Sequence, residues 1–244
     1  MKKISVITVC LNCAEKLERT IQSVIKQTYT DLEYIIVDGG SQDDTINIIK
    51  KYQLKITKWI SEKDDGIYDA MNKGIKMASG EWVNFMNAGD VFVNNDVLEN
   101  ILCRAIPDDI DFIYSDYYYM KKSGSIELRT LCREKGEINH QSSIYKKSLH
   151  ETYGYYVVTH PYIVSDLLFF LSIPKERFQK SSFIISINEA GGISDMEDWC
   201  REQALCLKVV FGIENIKPVF KMYIKKMVKQ LIRYNSFKKR LKGL

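Results

Sequence analysis

Two polar residues stand at the end of a predicted strand. Residues 81–86 (EWVNFM) are mostly apolar and lead directly into N-A-G-D, which places Asn87 and Asp90 at the strand end. Asp38 and Asp64 follow two earlier apolar runs in the same way. In an open α/β sheet, ligands bind outside the carboxyl ends of the strands. These side chains are therefore candidates for contact with a ligand.

The chemistry of these acidic and amide groups favours a nucleotide held through a metal ion. Carboxylates repel a diphosphate, but they hold a divalent cation that binds it, and they accept hydrogen bonds from a base or a sugar hydroxyl. The turn after the first predicted strand, residues 9–13 (VCLNC), contains no glycine. The glycine-rich dinucleotide and P-loop motifs are therefore absent.

Alternating strands and helices must position these residues. Strands are predicted over 3–10, 32–37, 56–60, 81–86 and 110–114, and helices over 14–27, 41–52, 67–77 and 96–105. This alternation predicts right-handed βαβ units and a mainly parallel sheet, an α/β fold. Later segments predict a hairpin over 117–131, strands over 142–146 and 183–187, and helices over 165–172 and 216–244.

The chain has the composition of one globular domain with a basic tail. Of 244 residues, 45% are hydrophobic and 27% charged, and no run approaches the roughly 20 apolar residues that span a bilayer. We expect a cytoplasmic protein. Residues 215–244 contain ten Lys/Arg and no Asp/Glu, which leaves the rest of the chain with a net charge of −6. We predict one domain over 1–214, with a nucleotide-binding half (1–116) and an acceptor-binding half (117–214), and a separate tail over 215–244.

The cysteines offer two further hypotheses. Cys10 and Cys13 form a lone C-x-x-C. A zinc site needs two more ligands at similar spacing, and none follow. A thioredoxin-type pair at a strand-to-helix turn agrees with the position, but small cysteines of the core are the simpler interpretation.

Three long motifs resemble one enzyme family. The runs are ISVITVCLN (4–12), IIVDGGSQDDT (35–45) and SEKDDGIYDAMNKGIKMASGEWVNFMNAGD (61–90). In this order they resemble the family 2 glycosyltransferases with a GT-A fold, of the kind found in bacterial exopolysaccharide, capsule and O-antigen biosynthesis. The similarity continues more thinly through INHQSSIY (138–145), the pair Ser165-Asp166 and EAGGIS (189–194).

The resemblance implies a metal ion at the N-A-G-D strand end. Most members carry D-x-D there, which binds Mg²⁺ or Mn²⁺ against the diphosphate of a nucleotide-sugar. Here Asp90 is the only carboxylate of the motif, and one carboxylate with substrate phosphates and waters is an ordinary Mg²⁺ arrangement. Without the flanking motifs, N-A-G-D would be interpreted as a turn.

The resemblance also assigns residues to the donor. Asp38 is expected to accept the ring N–H of uracil. The remaining donor contacts are expected from Thr8, Asn12, Asp64, Asn72, Asn87 and His140. For Thr8 and Asn12 a purely structural role is nearly as good an explanation, and a lone histidine such as His140 is often structural. His140 could alternatively complete the metal or phosphate site, or orient the acceptor.

Transfer with inversion requires a base that removes the proton of the acceptor hydroxyl. The family uses an Asp or Glu at the start of a later helix, and Asp166 fits that place. Its alternative role is that of an ordinary acid at a helix N-terminus. The pattern Q-x-x-R-W, associated with processive synthases, is absent, which favours transfer of one sugar per encounter.

The basic tail predicts a membrane partner. Apolar residues at 220, 223, 224, 227, 228 and 231 form a helical stripe surrounded by lysines. A basic amphipathic helix binds anionic lipid, with each basic residue worth about 1 kcal/mol. The alternative is a terminal helix packed on the domain. Relatives act on saccharides carried by polyprenyl diphosphate, so the expected location is the cytoplasmic face of the inner membrane. A basic tail is also compatible with nucleic acid, but nothing else in the chain supports such a partner.

Together these patterns predict an inverting, metal-assisted glycosyltransferase that moves one sugar from a UDP-sugar to a lipid-linked saccharide. A sugar nucleotidyltransferase would need a first loop rich in glycine and basic residues, unlike Leu11-Asn12-Cys13. A non-catalytic nucleotide-sugar-binding subunit, recruited to the membrane by its tail, is the alternative from a different class.

Overall fold

A computed structural model of the chain describes residues 2–158 and 164–192. The strands of this part are β1 (Ile4–Cys10), β2 (Leu32–Asp38), β3 (Lys58–Ser61), β4 (Trp82–Phe85), β5 (Val91–Phe92), β6 (Phe112–Tyr114), β7 (Tyr117–Met120), β8 (Ile126–Arg129), β9 (Ser143–Lys146), β10 (Phe178–Lys180) and β11 (Ser186–Glu189). The helices are α1 (Ala14–Ile25), α2 (Thr45–Lys51), α3 (Ile67–Met77), α4 (Val97–Leu102), α5 (Leu149–Tyr153) and α6 (Ser165–Ser172). The predicted tail over 215–244 lies outside the described residues.

The main sheet has seven strands in the order β10-β6-β9-β4-β1-β2-β3. Strands β4, β1, β2 and β3 are parallel to one another, whereas β9 runs antiparallel to both β4 and β6. β1 is buried along its whole length, as expected for the centre of a parallel sheet covered on both faces. The mainly parallel α/β sheet predicted from the sequence is confirmed.

Helices cover the two faces of this sheet. Ile35 and Val37 of β2 pack in a cluster with residues of α3, whereas Tyr34 and Ile36 pack in a cluster with residues of α1. α3 lies very close to β1, because a Cβ placed on Gly74 would fall 2.5 Å from a methyl group of Ile7. The carboxyl ends of β1 and β4 lead into the turns that contain Asn12 and Asp90.

A second sheet closes one side of these strand ends. Its order is β5-β11-β7-β8, in which β7 and β8 form the predicted hairpin. β5 follows the tip of β4 directly and pairs antiparallel with β11. The second sheet thereby brings β11 beside Asp90.

Several boundaries differ from the sequence-based predictions. The strand predicted over 183–187 lies at 186–189, and the buried Ile185 precedes it. β5, α5 and β10 have only two, five and three residues, which is too short for a periodic pattern. Cys10 lies in the core as expected, and Cys13 is half-buried with a free thiol. Within residues 2–158 and 164–192, no helix has the length and apolarity to cross a membrane.

Candidate active site

The turn after β2 forms a rim at the carboxyl ends of the parallel strands. Asp38 is fully buried there, and its carboxylate accepts hydrogen bonds from the backbone N–H groups of Gly40 (3.0 Å) and Ser41 (2.9 Å) and from the Ser61 hydroxyl (2.7 Å). Aspartate commonly organises turns in this way. Asp38 therefore fixes the shape of the rim with its own oxygen atoms.

Asn12 and Asp64 join Asp38 at this rim. Asn12 has a left-handed backbone (φ 48°), and its Oδ1 accepts a hydrogen bond from the Gln42 N–H at 2.8 Å. Asp64 lies directly over Gly39, where a Cβ would fall 2.3 Å from Asp64 Oδ2. Only glycine allows this approach. The structure thus brings Asn12, Asp38 and Asp64 together at this rim, and a donor contact from each stays a prediction.

Thr8 and Asn72 lie apart from that rim, in the walls. Thr8 is fully buried and donates to the Met86 carbonyl at 2.7 Å. Asn72 is 8% exposed, and its amide brackets the main chain of Tyr156: Nδ2 donates to the carbonyl (2.8 Å) and Oδ1 accepts from the N–H (3.0 Å). Both side chains use their polar atoms within the protein, so a donor contact from either stays a prediction.

The N-A-G-D strand end buries a carboxylate. Asp90 is 8% exposed, and it accepts hydrogen bonds from Gln141 Nε2 (2.6 Å) and the Glu189 N–H (2.9 Å). Gly89 has φ 108°, which only glycine adopts readily, and its N–H donates to the Thr20 hydroxyl. The conformation of Gly89 therefore lets the turn direct the Asp90 side chain inward, and the hydrogen bond to Thr20 links the turn to α1.

Burial raises the pKa of Asp90 from its ordinary value of 3.8 to about 6. The hydrogen bonds from Glu189 N and Gln141 offset only part of this effect, and the nearby Glu189 carboxylate adds repulsion. His140 also lowers the pKa through space, but the direct donors of this buried carboxylate are a neutral amide and a peptide N–H, so its charge is compensated only in part.

A divalent cation suits this place. Asp90 offers hard oxygen atoms, and Asn87 Oδ1 is buried without a partner among the described residues, which is costly unless another group binds it. No group of three or more His, Cys, Asp or Glu side chains gathers into a metal site in the described ranges. The donor set therefore matches Mg²⁺ or Mn²⁺ shared with substrate phosphates rather than a cage made by protein alone.

Asp166 lies in the first turn of α6 and is held by two side chains. Tyr68 of α3 donates its hydroxyl to Oδ1 at 2.7 Å, and His140 Nδ1 lies 2.8 Å from Oδ2. Because an ionised carboxylate only accepts, Nδ1 carries the proton, and His140 Nε2 then accepts from Asn87 Nδ2 at 2.8 Å. A continuous chain Tyr68–Asp166–His140–Asn87 results.

This chain keeps Asp166 charged. Burial raises the pKa of Asp166, but the hydrogen bond and electrostatic attraction of His140, together with the Tyr68 hydroxyl, outweigh burial and hold the pKa below its ordinary value. The Asp166 side chain remains 19% exposed. It is therefore an ionised carboxylate with an accessible edge.

Consecutive residues connect the two carboxylates. His140 contacts Asp166, whereas Gln141 contacts Asp90. Asn188 of β11 orients this dipeptide, since its Nδ2 donates to Asn139 Oδ1 at 3.0 Å and lies 3.5 Å from Gln141 Oε1. Sequence reasoning did not assign Gln141 or Tyr68 to the site. Their only signals were a neighbouring candidate histidine and a position inside the GIYDAMN motif.

The family follows from a direct comparison. Residues 5–163, well over half of the chain, match the family model described as Glycosyl transferase family 2. The chain belongs to glycosyl transferase family 2. The family predicted from the three motifs is therefore confirmed.

Solved structures of glycosyltransferases share its fold. S. aureus TarS 1–349 in complex with UDP-GlcNAc superimposes with a TM-score of 0.69 at 18% identity, covering 91% of this family 2 chain and 71% of that TarS fragment. The mannosyltransferase PcManGT from Pyrobaculum calidifontis, in complex with GDP-Man and Mn²⁺, gives a TM-score of 0.66 at 17% identity and covers 92% and 68%. These likenesses show the GT-A fold.

Sequence relatives in the same family match over shorter stretches. A Mycobacterium bovis protein named PGL/p-HBAD biosynthesis glycosyltransferase is 31% identical over 160 residues, which are 62% of each chain. The cholesterol galactosyltransferase of Borreliella burgdorferi is 36% identical over 118 residues, or 48% of this chain and 33% of that protein. The matched segment thus spans about three fifths of the mycobacterial relative.

Proposed function

We propose that this chain is an inverting glycosyltransferase that moves a single sugar from a UDP-sugar to a saccharide carried on a lipid, assisted by Mg²⁺ or Mn²⁺. The observation that carries the proposal is the pairing of two carboxylates in one site. Asp166 is ionised and partly open, whereas Asp90 is buried and its charge is compensated only in part. A base and a cation-binding acid are the two charged groups that this reaction needs.

In the proposed reaction the Asp166 carboxylate takes the proton of an acceptor hydroxyl. The oxygen of that hydroxyl attacks the anomeric carbon from the opposite side to the leaving group. The bond from the anomeric carbon to the diphosphate oxygen breaks, and a nucleoside diphosphate leaves with its bonding electrons. A divalent cation bound at Asp90 would neutralise charge on that diphosphate.

The donor assignment rests on the rim after β2 and on relatives. Asn12, Asp38 and Asp64 surround one turn at the strand ends, and the TarS complex contains UDP-GlcNAc. PcManGT binds GDP-Man with Mn²⁺, which supports a nucleotide-sugar with a metal ion and makes a guanine donor the main competitor in the test below.

The lipid acceptor is supported by the names of relatives and by the tail. The mycobacterial relative is named for PGL/p-HBAD biosynthesis, and the Borreliella relative for transfer to cholesterol. The ten basic residues of 215–244 suit the anionic inner leaflet, at its cytoplasmic face. Deleting 215–244 should abolish co-sedimentation with anionic liposomes. Continued sedimentation of the truncated protein would contradict the membrane role.

A donor screen tests the proposal. Thermal unfolding is followed with a panel of nucleotide-sugars, with Mn²⁺ or with a chelator, for wild type, Asp90→Asn and the exposed-loop control Asp108→Asn. A donor at 100 times its dissociation constant adds about 2.7 kcal/mol, and each kcal/mol moves the midpoint by roughly 2–4 °C. We expect a Mn²⁺-dependent shift with one UDP-sugar, retained in Asp108→Asn and lost in Asp90→Asn.

Turnover separates an enzyme from a binding subunit. With the donor identified, wild type mixed with acceptor lipid should release nucleoside diphosphate and form a glycolipid of inverted anomeric configuration. Donor binding without release would favour the non-catalytic subunit. If no donor in the panel shifted the midpoint, the N-A-G-D strand end would be only a turn, and the proposal would be wrong.

A further inference from the structure

Asp166 is clamped by side chains from two distant parts of the chain. Tyr68 lies 98 residues before it on α3, and His140 lies 26 residues before it in the loop preceding β9. We propose that Tyr68 and His140 are positioning residues that aim the Asp166 carboxylate at the acceptor hydroxyl, and that His140 serves this base rather than the donor. This inference rests on the proposed function of Asp166 as the base.

Tyr68 is held so that its hydroxyl reaches only inward. The residue is 3% exposed, and its ring packs against that of Tyr156 with centroids 5.7 Å apart. One helical turn later on α3, Asn72 brackets the main chain of Tyr156. The neighbouring Val157 N–H donates to the hydroxyl of Ser165 at 2.6 Å, immediately before Asp166. α3 therefore fixes both the start of α6 and the carboxylate that it carries.

His140 can serve only one partner with each ring nitrogen. The proton on Nδ1 is committed to Asp166 at 2.8 Å, and Nε2 accepts from Asn87 at 2.8 Å. The ring is 16% exposed at its side chain. A donor phosphate would need an N–H on Nε2, which this tautomer does not provide. The geometry thus assigns the Nδ1 proton of His140 to Asp166, the proposed base.

The other titratable side chains near Asp166 make their hydrogen bonds elsewhere. The hydroxyl of Tyr145 lies 2.8 Å from that of Tyr156 and 3.0 Å from His150 Nε2, so these three groups satisfy one another. Among the described residues, the side chains that hydrogen-bond to Asp166 are Tyr68 and His140. Removing either should therefore change Asp166 directly.

Matched variants test the clamp. In His140→Asn the amide nitrogen replaces Nδ1, whereas in His140→Gln it replaces Nε2. We expect kcat to be about tenfold higher in His140→Asn than in His140→Gln, with equal donor dissociation constants. Tyr68→Phe should lower kcat about tenfold and move the acid limb of the pH profile upward by about one unit, because a lost hydrogen bond to a carboxylate has this size.

A tyrosine elsewhere provides the control. Tyr29 is 5% exposed and its hydroxyl donates to the Lys2 carbonyl at 2.8 Å, far along the chain from the site. Tyr29→Phe should leave kcat and the pH profile unchanged. The opposite ranking of the two His140 variants, with weaker donor binding in His140→Asn, would make His140 a donor contact and overturn the inference. An unchanged kcat and pH profile in Tyr68→Phe would overturn it as well.

A spectroscopic signature separates this inference from the proposed function. ¹⁵N NMR of the imidazoles, assigned with His140→Asn, should show His140 protonated at Nδ1, and Asp166→Asn should change that signal. Protonation at Nε2 alone would contradict the clamp even in an active enzyme. A wild type with the expected signal but no transfer from any donor would sink the proposed function instead.

Discussion

Asp90 and Asp166 lie in the same site, each accepts two close hydrogen bonds, and yet their pKa values move in opposite directions. Asp90 receives bonds of 2.6 and 2.9 Å, and Asp166 receives bonds of 2.7 and 2.8 Å. Burial raises the pKa of both. The number and length of hydrogen bonds therefore do not decide which carboxylate stays charged.

The chemical type of the donors decides it. Asp166 accepts from an imidazole N–H and from a phenol hydroxyl. Asp90 faces a neutral amide and a peptide N–H, with the carboxylate of Glu189 nearby. The proposed base is thus kept ionised by the protein itself, whereas the other carboxylate suits the proposed cation. This division suits a reaction that removes a proton at one end and binds a diphosphate at the other.

The largest expected effect isolates Asp166. Asp166→Asn keeps the shape but cannot take a proton, and loss of a general base typically costs 10²–10⁴ in rate. We expect kcat to fall about 10³-fold, with donor affinity unchanged because Asp90 is intact. Steady-state transfer and donor calorimetry check both, with Asp108→Asn as the surface control. A variant that retained a tenth of the wild-type kcat would place the base elsewhere.

The next prediction concerns how much the charge on Asp90 lowers the unfolding free energy. Its pKa is about 6 in the folded protein against an ordinary 3.8, so between these values the folded state binds more protons than the unfolded state. The unfolding free energy of the metal-free wild type should therefore fall as pH rises from 4 to 6, by about 3 kcal/mol in total.

Asp90→Asn removes this dependence. The Asn side chain can accept only one of the two hydrogen bonds made to Asp90, a cost that does not depend on pH. In chelator the stability of the variant relative to wild type should therefore rise by up to about 3 kcal/mol between pH 4 and pH 8, as measured by urea unfolding at several pH values. A relative stability that stays constant over this range would mean that the Asp90 charge is already compensated, and the contrast with Asp166 would fail.

The sequence predicted the frame of this site better than its connections. Long apolar runs with clear periodicity, such as residues 4–10 and 67–77, gave the parallel sheet and its helices. Resemblance then nominated Asp90 and Asp166, and the structure brings both into one site. The bonds from Tyr68 to Asp166 and from Gln141 to Asp90 cross 98 and 51 residues, and no local pattern encodes them.

Polar residues of the walls show the same limit. Thr8 and Asn72 have the side chains of ligand contacts, but one bonds to the Met86 carbonyl and the other brackets Tyr156. A side chain that satisfies a buried main-chain group and one that binds a nucleotide have the same chemistry. Only the position of the partner distinguishes them.

A smaller effect separates these roles at Asn72, on the Asp166 side of the site. Asn72→Ala leaves the buried N–H and carbonyl of Tyr156 without partners, which costs about 2 kcal/mol of unfolding free energy. We expect that loss with an unchanged donor dissociation constant. Asn47→Ala, on the exposed face of α2, should have little effect on either. A donor affinity that fell with normal stability would make Asn72 the donor contact that the motif implied.

The smallest expected effect comes from a variant that adds an acidic side chain beside Asp90. In Gln141→Glu a second carboxylate replaces the amide that donates to Asp90 at 2.6 Å. Metal affinity in oxygen-ligand sites grows with the number of charged ligands, so Mn²⁺ binding in the absence of donor should strengthen about fivefold, or ~1 kcal/mol. Electron paramagnetic resonance of free Mn²⁺ measures this without any turnover.

Gln179→Glu on the exposed strand β10 controls for the added charge. If both variants strengthen Mn²⁺ binding equally, the gain is a general electrostatic effect and says nothing about Asp90. If only Gln141→Glu does, the single carboxylate of N-A-G-D is what makes metal binding depend on the donor. The lack of a second charged ligand beside Asp90 would then explain the need for substrate phosphates to complete the site.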